Sequence, residues 1–396
     1  MKELNCDLHI VGGALTGLLT AYCASCLGYS IIISEKKNIL VGTKKAMNDK
    51  RTTAIAEGSK NFLESQGLWR YIKAFAEPIH QIKVIDQTAN SKLSFVNPRP
   101  KSNLGYIVKN SKLISLLTKE LKKKKNVNFL TNSSITSISY NNSKVLSFSN
   151  NKKISSSMII AADGKNSAVR KILGTNLFKK KYSERALVIN FFHEKSHKNI
   201  AYEFFLKTGP LAILPMKKEN NKHQSALIWS NTPEITNILS SAKLKNKYVK
   251  EILNEKIYKY LGKVTNINAI QVFPLSAHIN EKFYNDRIIY VGDAAHSIHP
   301  IAGQGWNLGL RDVRSLIKIL KSSKDKGPQV GTKRFCKSYN NLCFYDAYRL
   351  FQITDKLDLV FKKDQSFFKF TKKIGFKVIN KSNILKNQIV NFAMGV

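Results

Sequence analysis

The chain has 396 residues and 43% hydrophobic content, which excludes a disordered chain and allows two or three domains around a substantial core. Its formal net charge is +39. Two readings of that charge stand, an anionic partner or the Lys- and Asn-rich drift of an AT-rich genome; no RNP, zinc-finger or helix-turn-helix pattern is present, so nucleic acid is not expected as a partner.

The opening stretch "CDLHIVGGALTGLLTAYCASCLGYSIIISEK" reads as strand, glycine turn, helix, strand. Leu8 to Val11 are apolar or β-prone, Leu15 to Leu27 form a helix-length apolar segment ended by Gly28, and Ser30 to Ser34 is a second buried strand. Such a βαβ unit opens a parallel sheet. From Tyr71 to Tyr106 the pattern turns to short alternating strands with Pro98 and Pro100, an inserted element. "SKLISLLTKELKKKK" returns to an amphipathic helix, and Asn126 to Gly164 reads as strand, hairpin, strand. Residues 182–275 are mostly strand-like, and beyond about residue 306 the chain is mainly helical. The predicted fold class is α/β with α+β character. A Rossmann-like domain (1–72, 106–180 and 276–330) is interrupted by an antiparallel-sheet domain (73–105 and 181–275), and a helical region (331–396) follows.

Three segments carry chemistry. In the first, Gly12-Gly13-Ala14-Leu15-Thr16-Gly17 sits between strand and helix, with Glu35 at the end of the next strand. Gly12 permits the tight turn, the helix start faces a pyrophosphate, Gly17 lets helix and strand pack closely, and Glu35 accepts ribose hydroxyls. In the second, "AADGKNSAVRKILG", Asp163-Gly164 ends an apolar strand, and Ser167 and Arg170 follow at helix spacing. A plain helix start with a capping Asp reads equally well there. The third is "VGDAAHSIHPIAGQGWNLGLRDV", where Gly292-Asp293 ends the strand "RIIYVG" and Gly303-Gln304-Gly305 leads into a helix starting near Trp306. That helix start aims unpaired N–H groups at whatever lies before it, and the negative edge of a flat cofactor suits the position.

Other motifs have plainer readings. Cys23-Ala-Ser-Cys26 has redox or metal spacing, but it lies within an apolar helix and no second Cys/His pair accompanies it. The other cysteines, Cys6, Cys336 and Cys343, make the count odd, which favours reduced thiols. His193 and His197 fall in "HEKSH", which as a zinc motif requires a helix and here follows a strand-like run, so no metal is expected.

In this order and at these separations the three segments resemble the FAD-dependent aromatic hydroxylases, the class A flavoprotein monooxygenases. The resemblance implies that Gly12, Gly13, Ala14, Gly17 and Glu35 hold the ADP half of FAD. It implies that Asp163, Gly164, Ser167 and Arg170 serve both FAD and NAD(P)H, and that Gly292 and Asp293 lie at the FAD ribose region. Arg51, in "DKRTTAIAEGS", matches the family arginine that contacts FAD, and Gly303, Gln304, Gly305 and Asn307 complete the cofactor-binding set. No catalytic side chain is fixed; His296, Pro300 and Gly303 are the flavin-side candidates, and His296 reads equally as a packing histidine.

The strings "GYIVKNSKLISLL", "FPLSAHINEKFYNDRIIYVGDAAH" and "NFAMGV" narrow the resemblance to the ubiquinone-biosynthesis hydroxylases, over almost the whole chain. That branch implies a reaction in which NAD(P)H reduces FAD, O2 is captured as a C4a-hydroperoxide, and oxygen passes to the ring of a polyprenylated phenol. The same fold could instead serve a soluble phenol or the reduction of a prenyl chain. A basic scaffold with a degenerate FAD fold is the rival outside enzymology, and the intact glycines and both Asp motifs argue against it. A complex with other quinone-biosynthesis proteins is a further expected partnership.

No apolar run reaches the length of a membrane span, and the N-terminus enters a strand at once, which predicts a cytoplasmic protein without a signal peptide. The tail alternates lysines with Phe361, Phe367, Phe368, Phe370, Phe376 and Ile379. This reads either as a helix packed on the FAD domain or as a surface that lies on the inner face of the cytoplasmic membrane, with Lys369, Lys372 and Lys373 facing anionic lipid.

Overall fold

The computed structural model describes residues 2–38, 49–87, 91–100, 102–141, 143–149, 152–206, 208–241, 247–299, 303–325, 327–362 and 375–395. In chain order the first strands are β1 (Lys2–Val11), β2 (Ile31–Glu35), β3 (Thr52–Ala56), β4 (Glu77–Ile79), β5 (Gln81–Asp86), β6 (Ser91–Val96) and β7 (Gly105–Lys109). The middle of the chain adds β8 (Val127–Thr131), β9 (Ser137–Asn141), β10 (Lys144–Ser149), β11 (Lys152–Ala161), β12 (Leu177–His193), β13 (Ile200–Leu206), β14 (Gly209–Glu219) and β15 (Lys222–Asn231). The last are β16 (Val264–Asn280), β17 (Tyr284–Asn285), β18 (Ile288–Tyr290) and β19 (His296–Ser297).

One sheet runs β17-β18-β11-β1-β2-β8, with the β9–β10 hairpin against β11. The pairs β11–β18, β1–β11, β1–β2 and β2–β8 are parallel, as the opening βαβ pattern predicts. Leu8, Ile10, Ile31 and Ile33 are at most 1% exposed, as strands covered on both faces require. The helix Leu15–Cys26 packs on this sheet.

The second sheet runs β19-β16-β12-β15-β14-β13-β5-β6. Its pairs are antiparallel except β13 with β5. Its two faces differ. On one, Leu187, Ile189, Tyr202, Phe204, Leu211, Ile213 and Leu227 are buried under the helices Pro233–Ser240 and Lys247–Leu261. On the other, Val84, Glu203, Ala212, Leu214 and Ile228 keep partial solvent access. The small sheet β3-β7-β4 stands against part of that second face, where Ile79, Leu104 and Ile107 meet Ala201, Met216 and Ala226.

The mixed α/β class is as expected from the sequence. The strand reading of 182–275 needs correction, because the helices Pro233–Ser240 and Lys247–Leu261 interrupt it. Val249, Leu253, Ile257 and Leu261 recur every four residues and are buried, so the helical period was present beneath the lysines. The C-terminal part is helical over Gly305–Lys324, Lys333–Lys362, 375–381 and Asn383–Met394. Phe376 is buried, which removes it from any membrane-facing set. Phe367, Phe368, Phe370, Lys369, Lys372 and Lys373 lie outside the described residues, as does Pro300. No described helix is long and apolar enough to cross a membrane.

Candidate cofactor site

The first glycine turn is sterically dictated. Gly12 has φ +112°, and a Cβ there would stand 2.4 Å from the Ala162 carbonyl oxygen. A Cβ on Gly17 would stand 1.9 Å from the carbonyl oxygen of Gly12. The Gly13 N–H donates to Glu35 Oε2 at 2.7 Å, which ties the turn to the end of β2. The helix Leu15–Cys26 then begins without a side-chain cap or an acidic residue in its first turn, so its N–H groups and positive dipole end are open to an anion.

The Asp163–Arg170 segment is largely self-satisfied. Asp163 Oδ2 accepts from the N–H groups of Ala168 (2.7 Å) and Val169 (3.3 Å), and Ser167 Oγ accepts from the Arg170 N–H at 3.0 Å. These are caps of the short helix Ala168–Ile172, the plainer of the two sequence readings. The buried Arg170 guanidinium donates to His278 Nε2 and to the Ala294 carbonyl, both at 3.1 Å. Burial pushes His278 down to about 3, with the Arg170 charge adding to the effect, so its ring is a neutral acceptor. What remains for a ligand is Asp163 Oδ1, buried with no partner among the described residues, and the open space beside Gly164 at φ +84°.

At the third segment, Gly292 has φ +59° and its N–H donates to Asp312 Oδ2 at 2.9 Å. The same oxygen is 2.6 Å from His296 Nε2, both side chains being almost fully buried. Burial opposes protonation of His296, but the Asp312 carboxylate outweighs it and holds the imidazole above its ordinary pKa. His296 is therefore an anchor between the turn and the helix Gly305–Lys324. Asp293 differs. Its surface stays exposed while protein crowds its carboxyl. Burial raises its carboxyl above the ordinary range against the opposing pull of His296, Lys165 and Arg51. Arg51 pairs with Asp49 at 2.8 Å, and its guanidinium lies 5.5 Å from the centre of the Phe273 ring on β16.

Gly303 has φ +61° and faces Ala54, while Gly305 has nothing within 4 Å of a would-be Cβ. The helix that follows carries no side-chain cap and no acid in its first turn. Gln304 Nε2 donates to the Ala393 carbonyl at 3.1 Å, and Gln304 Oε1 is buried without a partner among the described residues. Asn307 clamps β3, donating to the Ala54 carbonyl and accepting from the Ala56 N–H, each at 2.9 Å. Its amide is thus engaged in structure.

The three segments converge. Gly12 touches Ala162 beside Asp163, and both Gly292 and Gly309 approach Thr16 of the first turn. Sequence reasoning missed Asp312, whose signal was a carboxylate on the buried side of an amphipathic helix. It also missed Asn190 on β12, which reaches the Lys50 carbonyl at 2.7 Å, and Glu203 on β13, a lone carboxylate in the apolar string "IAYEFFL". Among the described residues no group of three or more His, Cys, Asp and Glu side chains could hold a metal. His193 hydrogen-bonds to the Lys195 carbonyl and Ser225 instead.

A parallel sheet whose glycine loops gather around uncapped helix starts defines a dinucleotide-binding protein. Residues 5–329 match the FAD binding domain family, and the chain belongs to it. The residues fit FAD: the Gly12 and Gly292 cradles exclude a side chain, and the orphaned Asp163 Oδ1 and Gln304 Oε1 offer acceptors to a polar ligand. The chain is similar to the ubiquinone hydroxylase UbiL of Rhodospirillum rubrum, with 28% identity covering 98% of this chain and 89% of the relative. It is 25% identical to the 3-demethoxyubiquinol 3-hydroxylase of Escherichia coli, covering 98% of each chain. The crystal structure of p-nitrophenol 4-monooxygenase PnpA from Pseudomonas putida shares the fold, with a TM-score of 0.80 and 17% identity over 98% of this chain and 97% of that one.

Proposed function

We propose that this protein is an FAD-dependent monooxygenase that hydroxylates the aromatic ring of a polyprenylated phenol in ubiquinone biosynthesis, using NAD(P)H and O2. The observation that carries this reading is similarity along almost the entire chain to enzymes named as ubiquinone hydroxylases. FAD, when bound, supplies the oxygen-transfer chemistry. The chain's own residues bind and orient. The uncapped helix starts at Leu15 and Gly305 favour negative charge, the charges of Arg51 and Lys165 act on Asp293, and the open face of the antiparallel sheet offers an apolar floor.

In this reading Gly12, Gly13, Ala14, Gly17 and Glu35 hold the ADP half, and Asp163, Gly164, Asp293, Gly303, Gln304 and Gly305 border the remainder. Ser167, Arg170, His296 and Asn307 act indirectly, by fixing those loops. The parallel sheet supports assigning 1–72, 106–180 and 276–330 to the FAD unit, and the large antiparallel sheet supports assigning most of 73–105 and 181–275 to the substrate unit. Asp293→Ala should weaken FAD retention by about 1.5–3 kcal/mol.

The decisive experiment incubates purified holoenzyme with NADPH or NADH, O2 and a 2-polyprenylphenol, then follows nucleotide oxidation and the hydroxylated product by mass spectrometry. Nucleotide oxidation that saturates the prenyl chain without adding oxygen to the ring would point to the reductase reading. The net charge of +39 supports an anionic membrane surface as the place where the lipid substrate is met. Co-sedimentation with anionic liposomes at low salt that is lost at high salt would bear this out, whereas indifference to liposomes would assign delivery to a partner protein.

A further inference from the structure

The open face of the antiparallel sheet carries one carboxylate whose surroundings are unlike those of any acid in the cofactor loops. Glu203 lies at the centre of β13. Its register partners are Val84 on β5 and Ala212 on β14, and the row continues through Ile228 on β15 to Val188 on β12. All of these residues share one face, opposite the one packed under the Lys247–Leu261 helix. On the Glu203 face the neighbouring strands present Ile82, Leu214 and Ala201, with Asp86 as the carboxyl further along β5.

This face adjoins the cofactor loops. Asn190, on the same face of β12, reaches the Lys50 carbonyl next to Arg51, and its Oδ1 is buried without a partner among the described residues. Ala54, which faces Gly303, packs in one cluster with Ala201, Ala226 and Leu214. Ala201, Ala212 and Ala226 are the small residues of this face. The side chain of Glu203 keeps partial solvent access. Protein nevertheless surrounds it, and burial alone pushes its carboxyl up to about 7.

No cation among the described residues offsets that burial, in a chain with 65 lysines and arginines. An unpaired carboxylate in an apolar setting is costly, and a purely structural position would have acquired a partner or lost its charge. We propose that Glu203 is the proton acceptor for the phenolic hydroxyl of the substrate, an assignment that rests on the hydroxylase reading above.

In this step the phenol O–H bond breaks, its electron pair stays on the ring oxygen, and a new O–H bond forms on the Glu203 carboxylate. Nothing is oxidised or reduced; the inserted oxygen and the electrons come from O2 and NAD(P)H. The electron-rich ring is then ready for oxygen insertion beside the phenolate. When the ring regains aromaticity, Glu203 returns its proton to the ring oxygen as the newly hydroxylated carbon releases its own to water, the C–H electron pair restoring the ring. A phenol ionises near pH 10, so an ordinary glutamate is roughly six powers of ten too weak a base, and an acceptor near 7 roughly halves that exponent.

The test compares wild type, Glu203→Gln and Glu203→Asp as FAD-loaded enzymes on 2-geranylphenol. Glu203→Gln should retain FAD and melting temperature but hydroxylate roughly 10²-fold or more slowly. The wild-type kcat/KM should rise through pH 7, the Gln variant should lack that rise, and Glu203→Asp should recover part of the rate. Ring-fluorinated, more acidic phenols should shrink the Gln deficit, since they need less help to ionise. A readout independent of turnover uses 2-geranyl-4-nitrophenol at a pH where the free probe is neutral: wild type should bind it as the coloured phenolate, Glu203→Gln as the neutral phenol. A Gln variant within threefold of wild type, or a deficit equal for all phenols, would overturn the role of Glu203 and leave the hydroxylase reading intact. A wild type that oxygenates none of these phenols would overturn the reading itself and the proposal with it.

Discussion

In the parallel sheet His9 is held between the hydroxyls of Ser34 and Ser147 at 2.7 Å each, whereas in the antiparallel sheet nothing among the described residues but burial acts on Glu203. Both groups lie on central strands within apolar surroundings. The first is a closed network that fixes β1, β2 and β10 together. The second leaves a carboxyl with partial solvent access and no offsetting charge among the described residues. The two helix starts beside the glycine loops differ from the Asp163 segment in the same way: Ala168–Ile172 is capped by its own side chains, while Leu15–Cys26 and Gly305–Lys324 are not. Satisfied polar groups hold this fold in place, and the uncapped helix starts beside the glycine loops stay open to an anionic ligand.

The largest expected effect lies on the closed side. In Gly17→Ala the new Cβ would meet the Gly12 carbonyl oxygen at 1.9 Å, and Gly12 cannot retreat because it abuts Ala162. A loss of about 3 kcal/mol or more is expected, read as insoluble or flavin-free protein. Gly305→Ala has open space around its Cβ, so it should fold normally and lower only FAD retention. If both variants behave alike, the contrast between packing glycines and ligand-clearing glycines is wrong.

Next in size comes the difference between the two faces of β15. Leu227 is fully buried under the helices and Ile228, on the opposite face, keeps partial solvent access. Leu227→Ala should cost about 2–5 kcal/mol in urea denaturation and Ile228→Ala about 1 kcal/mol, with the second altering KM for the phenol instead. Equal losses would mean that the open face is ordinary core.

How much of this was legible in the sequence follows from the range of the forces involved. The βαβ unit, its glycines and Glu35 were readable because local sterics and a helix dipole act within some 25 residues. The strands of the antiparallel sheet were readable from alternation, but the helix Pro233–Ser240 was hidden by its shortness and Lys247–Leu261 by the lysines that interrupt its apolar period. The roles of Asp312, Asn190 and Glu203 were not legible. Each depends on a partner, or on the lack of one, fixed by tertiary packing: Asp312 meets His296 only after the 292–296 turn docks on its helix. The same packing gives Ser167 and Arg170 structural roles, as a cap and a strut.

Acid should reveal the closed networks. Burial pushes His9 to about 3 and His278 to about 3, and pushes His193 to about 4, while the unfolded chain titrates near 6.5. Depressed folded values mean stability that is complete above about pH 6.5 and is lost progressively as pH falls toward 4 and 3. Each histidine should cost about 1–2 kcal/mol by pH 5. His296, raised by Asp312 against the effect of burial, acts in the opposite sense, its contribution being lost as pH rises. Urea midpoints measured from pH 7.5 to 4.5 should therefore fall steadily, and a flat profile would mean that these rings exchange partners on protonation.

The smallest expected effect concerns Cys23 and Cys26, which share the helix Leu15–Cys26 with the first glycine turn. A redox or metal pair needs two accessible sulfurs and at least one thiolate of lowered pKa. Cys23 is fully buried and burial drives its thiol well above the ordinary value. Cys26 is exposed and its sulfur lies 3.4 Å from the Lys124 ammonium, a surface contact on the far end of the helix from the cofactor loops. Packing therefore explains the first cysteine and nothing demands the second. Cys26→Ser should leave stability within about 0.5 kcal/mol, and FAD content and NAD(P)H oxidation should be unchanged. Stoichiometric zinc in the wild type, or a Cys23–Cys26 disulfide found by mass spectrometry whose reduction alters turnover, would turn this closed end of the sheet into a second chemical site.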